Sequence, residues 1–249
     1  LSLEPRVTRM HCVILAAGTA TRLRPLTDST PKCLLRIGDR VILERAIRAV
    51  FHAGVIDFTI VVGFQDWMIK NYLKRNFPSL DFTFVINDRF EQTNNAYSLL
   101  LAGEEIEGHE LLLLDSDIVF DDEIIPLLAK SPQESCIAVR TRGNVGEEDI
   151  KVEVNSKKEI VRIGKEIPIA STYGESIGIE RFSRGDTTAL FRTLEKRIHA
   201  EKSVNEFYEA SFQEMIGAGA HLHAVDIGSH RCVEIDTLDD LHTAESTFI

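Results

Sequence analysis

Three stretches of this sequence carry residue types and spacings suited to work on phosphate. The first is the loop Leu15-Ala16-Ala17-Gly18-Thr19-Ala20-Thr21-Arg22, followed by Thr30-Pro31-Lys32. Small side chains at Ala16, Ala17, Gly18 and Ala20 let the backbone come close to a ligand. Successive exposed N–H groups in such a loop form an anion cradle. Arg22 adds a planar fork that can grip two phosphate oxygens, and Lys32 adds a compact charge. The string is neither GxxxxGK[ST] nor GxGxxG, so it is not a P-loop or a dinucleotide fingerprint. The second stretch is Asp115-Ser116-Asp117, directly after four leucines, and the third is Glu234-Ile235-Asp236. Carboxylates crowded at a strand end are costly unless something positive balances them, and a hard cation with oxygen ligands is the natural partner. Asp236 could close the same metal site from the far side. Alone, each acidic stretch also suits a helix cap or a solvated strand end: Asp236 precedes a helical pattern, and Asp121 or Asp122 stands before another.

These stretches fall where positioning elements are expected. His11–Ala17 is a short apolar run ending at Gly18, which reads as a buried strand. Phe58–Gly63, Phe82–Ile86, Leu111–Leu114 and Ser135–Arg140 read as further strands. Val41–Ala53, Asp66–Phe77, Asn95–Gly103 and Glu123–Lys130 read as the helices between them. The lone tryptophan, Trp67, falls in the second of these helices and is expected to pack. Strands with continuous apolar runs, alternating with helices, predict a mostly parallel, Rossmann-like mixed sheet covered by helices on both faces, an α/β fold. Ligands of such sheets sit at the carboxyl ends of the strands, where the loop and Asp115–Asp117 fall. After Arg142 the pattern changes. Ile150–Val154 and Glu159–Ile163 read as a hairpin, Ser176–Phe182 as a strand, Thr187–Ala200 and Glu206–Ile216 as helices, His221–Val225 and Cys232–Ile235 as strands, and Leu238–Phe248 as a closing helix. No Pro/Gly/Ser-rich linker separates the parts. The expected organisation is a tail at 1–10 and a single domain at 11–249, with a nucleotide-binding half at 11–142 and an acceptor-binding half at 143–249.

The string AAGTATRLRPLTDSTPK resembles the signature of the sugar-phosphate nucleotidyltransferases, whose pattern is close to GGxGTRLxPLTxxxPK. The resemblance implies a nucleotide-diphospho-sugar transferase type of fold. It implies that Leu15–Ala20, Arg22 and Lys32 hold the triphosphate, with Arg22 and Lys32 acting on its α-phosphate. It also implies that Asp117 and Asp236 hold Mg²⁺. Ala16-Ala17 replaces the usual paired glycines, a departure common in the cytidylyltransferase branch. Asn87, with Asn94, Asn95, Tyr97, Ser98 and Leu99, resembles the branch of choline-phosphate, aminoethylphosphonate and inositol-phosphate cytidylyltransferases. Asn87, Thr93, Asn94 and Asn95 are then expected at the base of the nucleotide, and CTP is the expected donor. Read as residues, the same run is also an Asx-rich loop that caps a helix. The alternative within the family is a sugar-1-phosphate uridylyl-, thymidylyl- or guanylyltransferase.

On the acceptor side, Lys165 aligns with a family lysine that holds the acceptor phosphate, without its usual Glu-Lys-Pro context, and Lys151 is a rival. An ammonium on the acceptor would want aromatic faces and carboxylates, for which Tyr173, Tyr208 and Phe212 with Glu206 and Glu209 are available. Tyr208 and Phe212 lie four apart on a helix and equally suit a core.

Composition bounds the partners. The 249 residues are 44% hydrophobic and 27% charged, with a formal net charge of -11. That charge argues against nucleic acid and anionic membranes, both of which attract basic surfaces. No stretch approaches the ~18 apolar residues of a transmembrane helix. Leu1–Met10 carries no apolar core of a secretory signal. The four cysteines are far apart, with no CxxC pair, which suits reduced thiols in a cytoplasmic protein. The expected partners are an NTP and a small phosphorylated acceptor, with a homodimer possible.

Overall fold

The structure, a computed structural model, describes residues 10–249. The tail expected at 1–10 lies outside the described residues, apart from Met10, which opens the first strand. That strand, β1 (Met10–Ala16), is buried along its whole length. Its side chains alternate between two cores, Cys12, Ile14 and Ala16 in one and Val13 and Leu15 in the other. The period of two follows from the pleat.

A small antiparallel pair comes next, β2 (Arg36–Ile37) with β3 (Arg40–Val41). Then follow α1 (Ile42–His52), β4 (Asp57–Val62), α2 (Asp66–Asn76), β5 (Phe82–Ile86) and α3 (Asn95–Leu101). β6 (Glu110–Asp115) and β7 (Ile118–Phe120) flank Ser116 and Asp117, and α4 (Ile124–Ala129) and β8 (Cys136–Arg140) come after them. The hairpin β9 (Lys151–Val154) and β10 (Ile160–Gly164) precedes β11 (Gly174–Phe182), α5 (Arg184–Glu195) and α6 (Glu209–Gly217). β12 (His223–Asp226), β13 (Cys232–Glu234) and α7 (Leu238–Phe248) complete the chain.

Among the described residues, nine strands share one sheet. β5, β4, β1 and β6 run parallel, side by side. β11 joins β6 antiparallel and continues to β9 and β10. β8 pairs antiparallel with β11 and parallel with β12. Strands from both ends of the chain therefore belong to one mixed sheet, and the molecule is α/β as expected. Residues of α1, α2 and α4 fill the core on one face, and residues of α3, α5 and α6 fill the core on the other. A third, smaller cluster lies beside the sheet: Leu23, Ile37, Ile42, Val119, Ile235, Leu241 and Ala244. It ties the turn after β1 to β2, β7 and α7, and so fixes the surroundings of the acidic residues.

Several expectations are corrected. Trp67 does not pack. It is 57% exposed, because α2 turns Ile69 and Leu73 to the core instead. Neither Asp121 nor Asp122 caps α4, which starts after Glu123 with no side-chain cap, and Asp121 binds Arg231 at 2.7 Å. α6 starts at Glu209 rather than Glu206, because residues 206–208 are held as a strap. The Glu206 carbonyl accepts from the Ala96 amide at 3.4 Å, and the Tyr208 amide donates to Asn95 Oδ1 at 2.9 Å. The short strands β2, β3 and β7 have no periodic signature in the sequence. No helix among the described residues is long and apolar enough to cross a membrane, and the four cysteines are buried and free.

Candidate active site

The loop after β1 is shaped by one left-handed residue and one anchor. Ala20 has φ 48° and ψ 52°, which reverses the chain into a 3₁₀ turn at Thr21–Leu23. Thr27 Oγ1 braces the reversal by donating to the Ala20 carbonyl at 2.8 Å. Leu23 is fully buried in the third cluster, so its neighbour Arg22 is left on the open side of the turn. A Cβ built on Gly18 would meet nothing within 4 Å. Packing therefore does not require this glycine, and the free space lies over the cleft. Lys32 starts a second 3₁₀ turn, Lys32–Leu34, pinned by the buried Cys33.

Opposite the loop, a two-stranded ladder brings distant carboxylates together. β7 pairs antiparallel with β13, with Ile118 across from Glu234. The Ile235 amide donates to the Asp117 carbonyl at 2.9 Å. Asp236 then lies beside Asp117, and a capping box at Thr237 and Asp240 holds the following helix. The Asp236 amide also donates to Asp240 Oδ2 at 3.1 Å.

The cations of the loop meet these carboxylates. Lys32 Nζ lies 2.8 Å from Asp117 Oδ2 and 2.9 Å from Asp236 Oδ1. Arg22 Nη2 lies 2.7 Å from Asp236 Oδ2. Burial alone would lower Lys32, but the two aspartates outweigh it and hold its ammonium above the usual lysine range. Burial likewise works to raise Asp236, and Lys32 and Arg22 reverse that and keep its carboxyl low. Glu234 reaches solvent on one side, yet the dense protein around it and repulsion from Asp117 and Asp236 push it up to about 8.

Asp117, Glu234 and Asp236 present oxygens within 4.8 Å of one another. Three carboxylates that close, with one of them pushed toward protonation, leave room for added positive charge. An all-oxygen donor set suits a hard divalent cation and not a thiolate-seeking metal. The residues present thus fit the divalent metal that the fold implies. The sequence by itself points to Asp117 and Asp236. In the sequence Glu234 stands only as part of its acidic stretch, and the β7–β13 register is what adds it to the group.

All these residues line one cleft of about 480 Å³ at the carboxyl ends of β1 and β6. Leu15, Ala16, Ala17, Gly18, Thr19 and Ala20 form one wall, together with Arg22 and Lys32. Asn87, Thr93, Asn94 and Asn95 form another. Their side chains are largely committed. Asn87 Nδ2 donates to Thr93 Oγ1 and Ser98 Oγ, each at 3.0 Å, and its Oδ1 accepts from the Arg89 amide at 2.9 Å. Asn94 Oδ1 caps α3 by accepting from the Asn95 amide at 2.8 Å, and Asn95 holds Tyr208. The amides thus shape the wall by buckling α3 to the 204–208 strap, as the Asx-rich reading of this loop requires.

The acceptor candidates divide. Lys165 and Glu209 line the same cleft. Lys165 Nζ sits 3.3 Å from Glu148 Oε2 and 4.7 Å from the centre of the Phe207 ring. The other three are not on the cleft wall. Lys151 is fully buried, and its ammonium donates to the carbonyls of Gly146, Glu147 and Asp149 at 3.3, 2.6 and 3.2 Å. It staples the 146–149 loop, so its charge is not free for an acceptor. Glu206 is bound by Arg197 at 2.6 Å, and Tyr173 lies under Lys158, whose Nζ is 3.9 Å from its ring centre. Tyr208 and Phe212 are core residues, with ring centres 5.1 Å apart. The Tyr208 hydroxyl reaches back to donate to Asp115 Oδ2 at 2.8 Å.

Comparison with known proteins places this geometry. Residues 12–215 match the profile of the MobA-like NTP transferase domain. The chain is 28% identical to CTP:phosphoglutamine cytidylyltransferase of Campylobacter jejuni over 93% of its own length and 98% of that protein's. It is 31% identical to 2-aminoethylphosphonate cytidylyltransferase of Lancefieldella rimae, over 75% of this chain and 72% of that one. The structure of the inositol-1-phosphate CTP transferase from T. maritima superposes with a TM-score of 0.80 at 21% identity, covering 96% of both chains, which shows a common fold.

Proposed function

The chain belongs to the MobA-like NTP transferase family and is a nucleotidyltransferase, and from that premise we propose that it transfers CMP from CTP to a small phosphorylated alcohol or phosphonate, releasing pyrophosphate. The observation that carries the reading is the meeting of Lys32 with Asp117 and Asp236 in the cleft beneath the Gly18 loop. Two relatives are named as cytidylyltransferases, one of CTP and phosphoglutamine and one of 2-aminoethylphosphonate, which favours cytidylyl transfer over the sugar-nucleotide alternative.

The chemistry asks for little covalent help. The acceptor's phosphate oxygen is already anionic, so attack on the α-phosphorus needs no general base. The barrier is the repulsion between two anions and their misorientation, and the enzyme lowers it by positioning and by fixed opposing charge. The loop Leu15–Ala20 offers backbone N–H groups to the triphosphate, Arg22 offers its guanidinium fork, and Lys32 offers a point charge. Asp117 and Asp236, with Glu234 beside them, would hold Mg²⁺, which would supply charge neutralisation for the reacting phosphates. Lys165 is the cation on the acceptor side of the cleft. Asn87, Thr93, Asn94 and Asn95 form the wall assigned to the pyrimidine.

The test is pyrophosphate release measured with CTP, UTP, dTTP and GTP against a panel of phosphorylated acceptors. CTP with a small alkyl phosphate or phosphonate is expected to turn over best. A better rate with UTP or dTTP and glucose 1-phosphate overturns the cytidylyl reading.

A further inference from the structure

The cleft wall carries, and is backed by, carboxyl groups that the transfer chemistry does not use. Glu209, at the start of α6, lines the cleft while only 6% exposed, and its Oε2 has no hydrogen-bond partner in the protein. Behind it, Glu180 on β11 is fully buried. Its Oε1 accepts a long bond from Ser176 Oγ at 3.4 Å, and its Oε2 is also unpartnered. Asp115 completes the group, with Tyr208 as its donor. Buried carboxyl oxygens without donors are rare, because each forfeits its hydration. Burial and mutual repulsion with Asp115 and Glu209 hold Glu180 well above the usual carboxylate range. Lys165 is the cation whose field reaches Glu209, and it is already engaged with Glu148 and Phe207. The unpartnered oxygen that reaches the cleft wall is that of Glu209, with Glu180 buried behind the wall.

Aromatic faces are scarce in this part of the cleft. Phe90 and Phe207 are the aromatic side chains on the cleft wall. Phe207 already carries Lys165 on its ring, and Phe90 packs by Gly63 and Phe64 on the nucleotide side. The ring of Tyr208 is closed off against Phe212. A trimethylammonium group has no N–H to give and depends on such faces. A primary ammonium brings three N–H donors and matches unpartnered carboxyl oxygens.

We propose that this part of the cleft receives the head group of the acceptor and selects one bearing a primary ammonium, with Glu209 as its direct partner. The assignment rests on the cytidylyl-transfer reading for its substrate class. It concerns specificity, not the transfer step.

The test uses three phosphate monoesters of similar length: 2-aminoethyl phosphate, its trimethylated analogue phosphocholine, and propyl phosphate. With CTP and Mg²⁺, kcat/KM for 2-aminoethyl phosphate is expected to exceed both others by about tenfold or more, as charge-assisted hydrogen bonds allow. In Glu209→Gln, the ratio of 2-aminoethyl to propyl phosphate is expected to fall toward one. A purely structural defect would slow both esters together and leave that ratio in place. Glu209→Asp, which keeps the charge and shortens its reach, gives the second variant at this position. Calorimetric binding of the three esters to the wild-type protein reads the same selectivity without turnover. Equal binding of the ammonium and propyl esters, or tighter binding of phosphocholine, overturns the inference. Turnover with CTP but no preference among the esters sinks the ammonium assignment alone. Ammonium-selective binding with no CTP turnover for any ester sinks the transferase reading alone.

Discussion

Lys32 and Asp117 touch at 2.8 Å, although one follows the loop after β1 and the other the end of β6. The same ammonium reaches Asp236 at 2.9 Å. One cation is thus shared by two carboxylates that belong to different parts of the chain, and the cleft is built around that contact.

Asp117→Asn removes one charge from the group formed by Asp117, Glu234 and Asp236. Its backbone ties to the β7–β13 ladder stay in place. The variant is expected to fold with an unchanged circular dichroism spectrum and to lose about 10²–10³ or more in turnover, the scale for losing a group that stabilises transition-state charge. Added Mg²⁺ is expected to raise the melting temperature of the wild type and not of the variant. Near-wild-type turnover in Asp117→Asn rejects the metal assignment.

Gly18→Val tests whether the open space over the loop belongs to the ligand. A Cβ there meets nothing within 4 Å, and the residue does not have positive φ. The melting temperature is therefore expected to stay close to wild type. The added methyl groups enter the cleft, so KM for the nucleotide is expected to rise about tenfold or more, by loss of backbone approach to phosphate. An unchanged KM would show that the triphosphate lies elsewhere.

Lys151→Met separates a structural lysine from an acceptor lysine. Three carbonyls accept from the buried ammonium. Its loss leaves them short of donors and should cost about 2–4 kcal/mol, measured by urea unfolding. The KM for the acceptor is expected to change no more than that for the nucleotide. A selective rise in acceptor KM without loss of stability contradicts the stapling role.

The Glu209 carboxyl gives the protein a pH signature. Burial pushes it from 4.5 up to about 7. The folded state therefore binds this proton more tightly than the unfolded chain does. The stabilisation is complete below the unfolded value and is lost as pH rises through about 7, where it levels off. Its size is about 3 kcal/mol, from the shift at 1.36 kcal/mol per unit. Urea unfolding at pH 5 and pH 8 should show the wild type more stable at the lower pH, and Glu209→Gln should reduce that difference. A difference of the same size in the variant means another group carries the proton.

Much of this protein is legible from local pattern alone. The buried strands at Met10–Ala16 and Glu110–Asp115 announce themselves as continuous apolar runs, because a strand covered on both faces needs no alternation. The loop from Ala16 to Lys32 is legible because phosphate chemistry restricts residue types over a short contiguous stretch. Asp117 and Asp236 stand out as acids at strand ends. What the chain alone leaves open is contact. The β7–β13 pairing joins two three-residue strands too short to carry a period, and it alone brings Glu234 into the acidic group. Only packing decides that Lys151 is spent on carbonyls, that Glu206 is tied to Arg197, and that Tyr208 and Phe212 close a core instead of lining a cage. Residue type and spacing are properties of the chain, and they set which chemistry is possible. Which lysine or carboxyl remains free for a ligand depends on partners distant in sequence, and those are chosen only when the sheet and its covering helices come together.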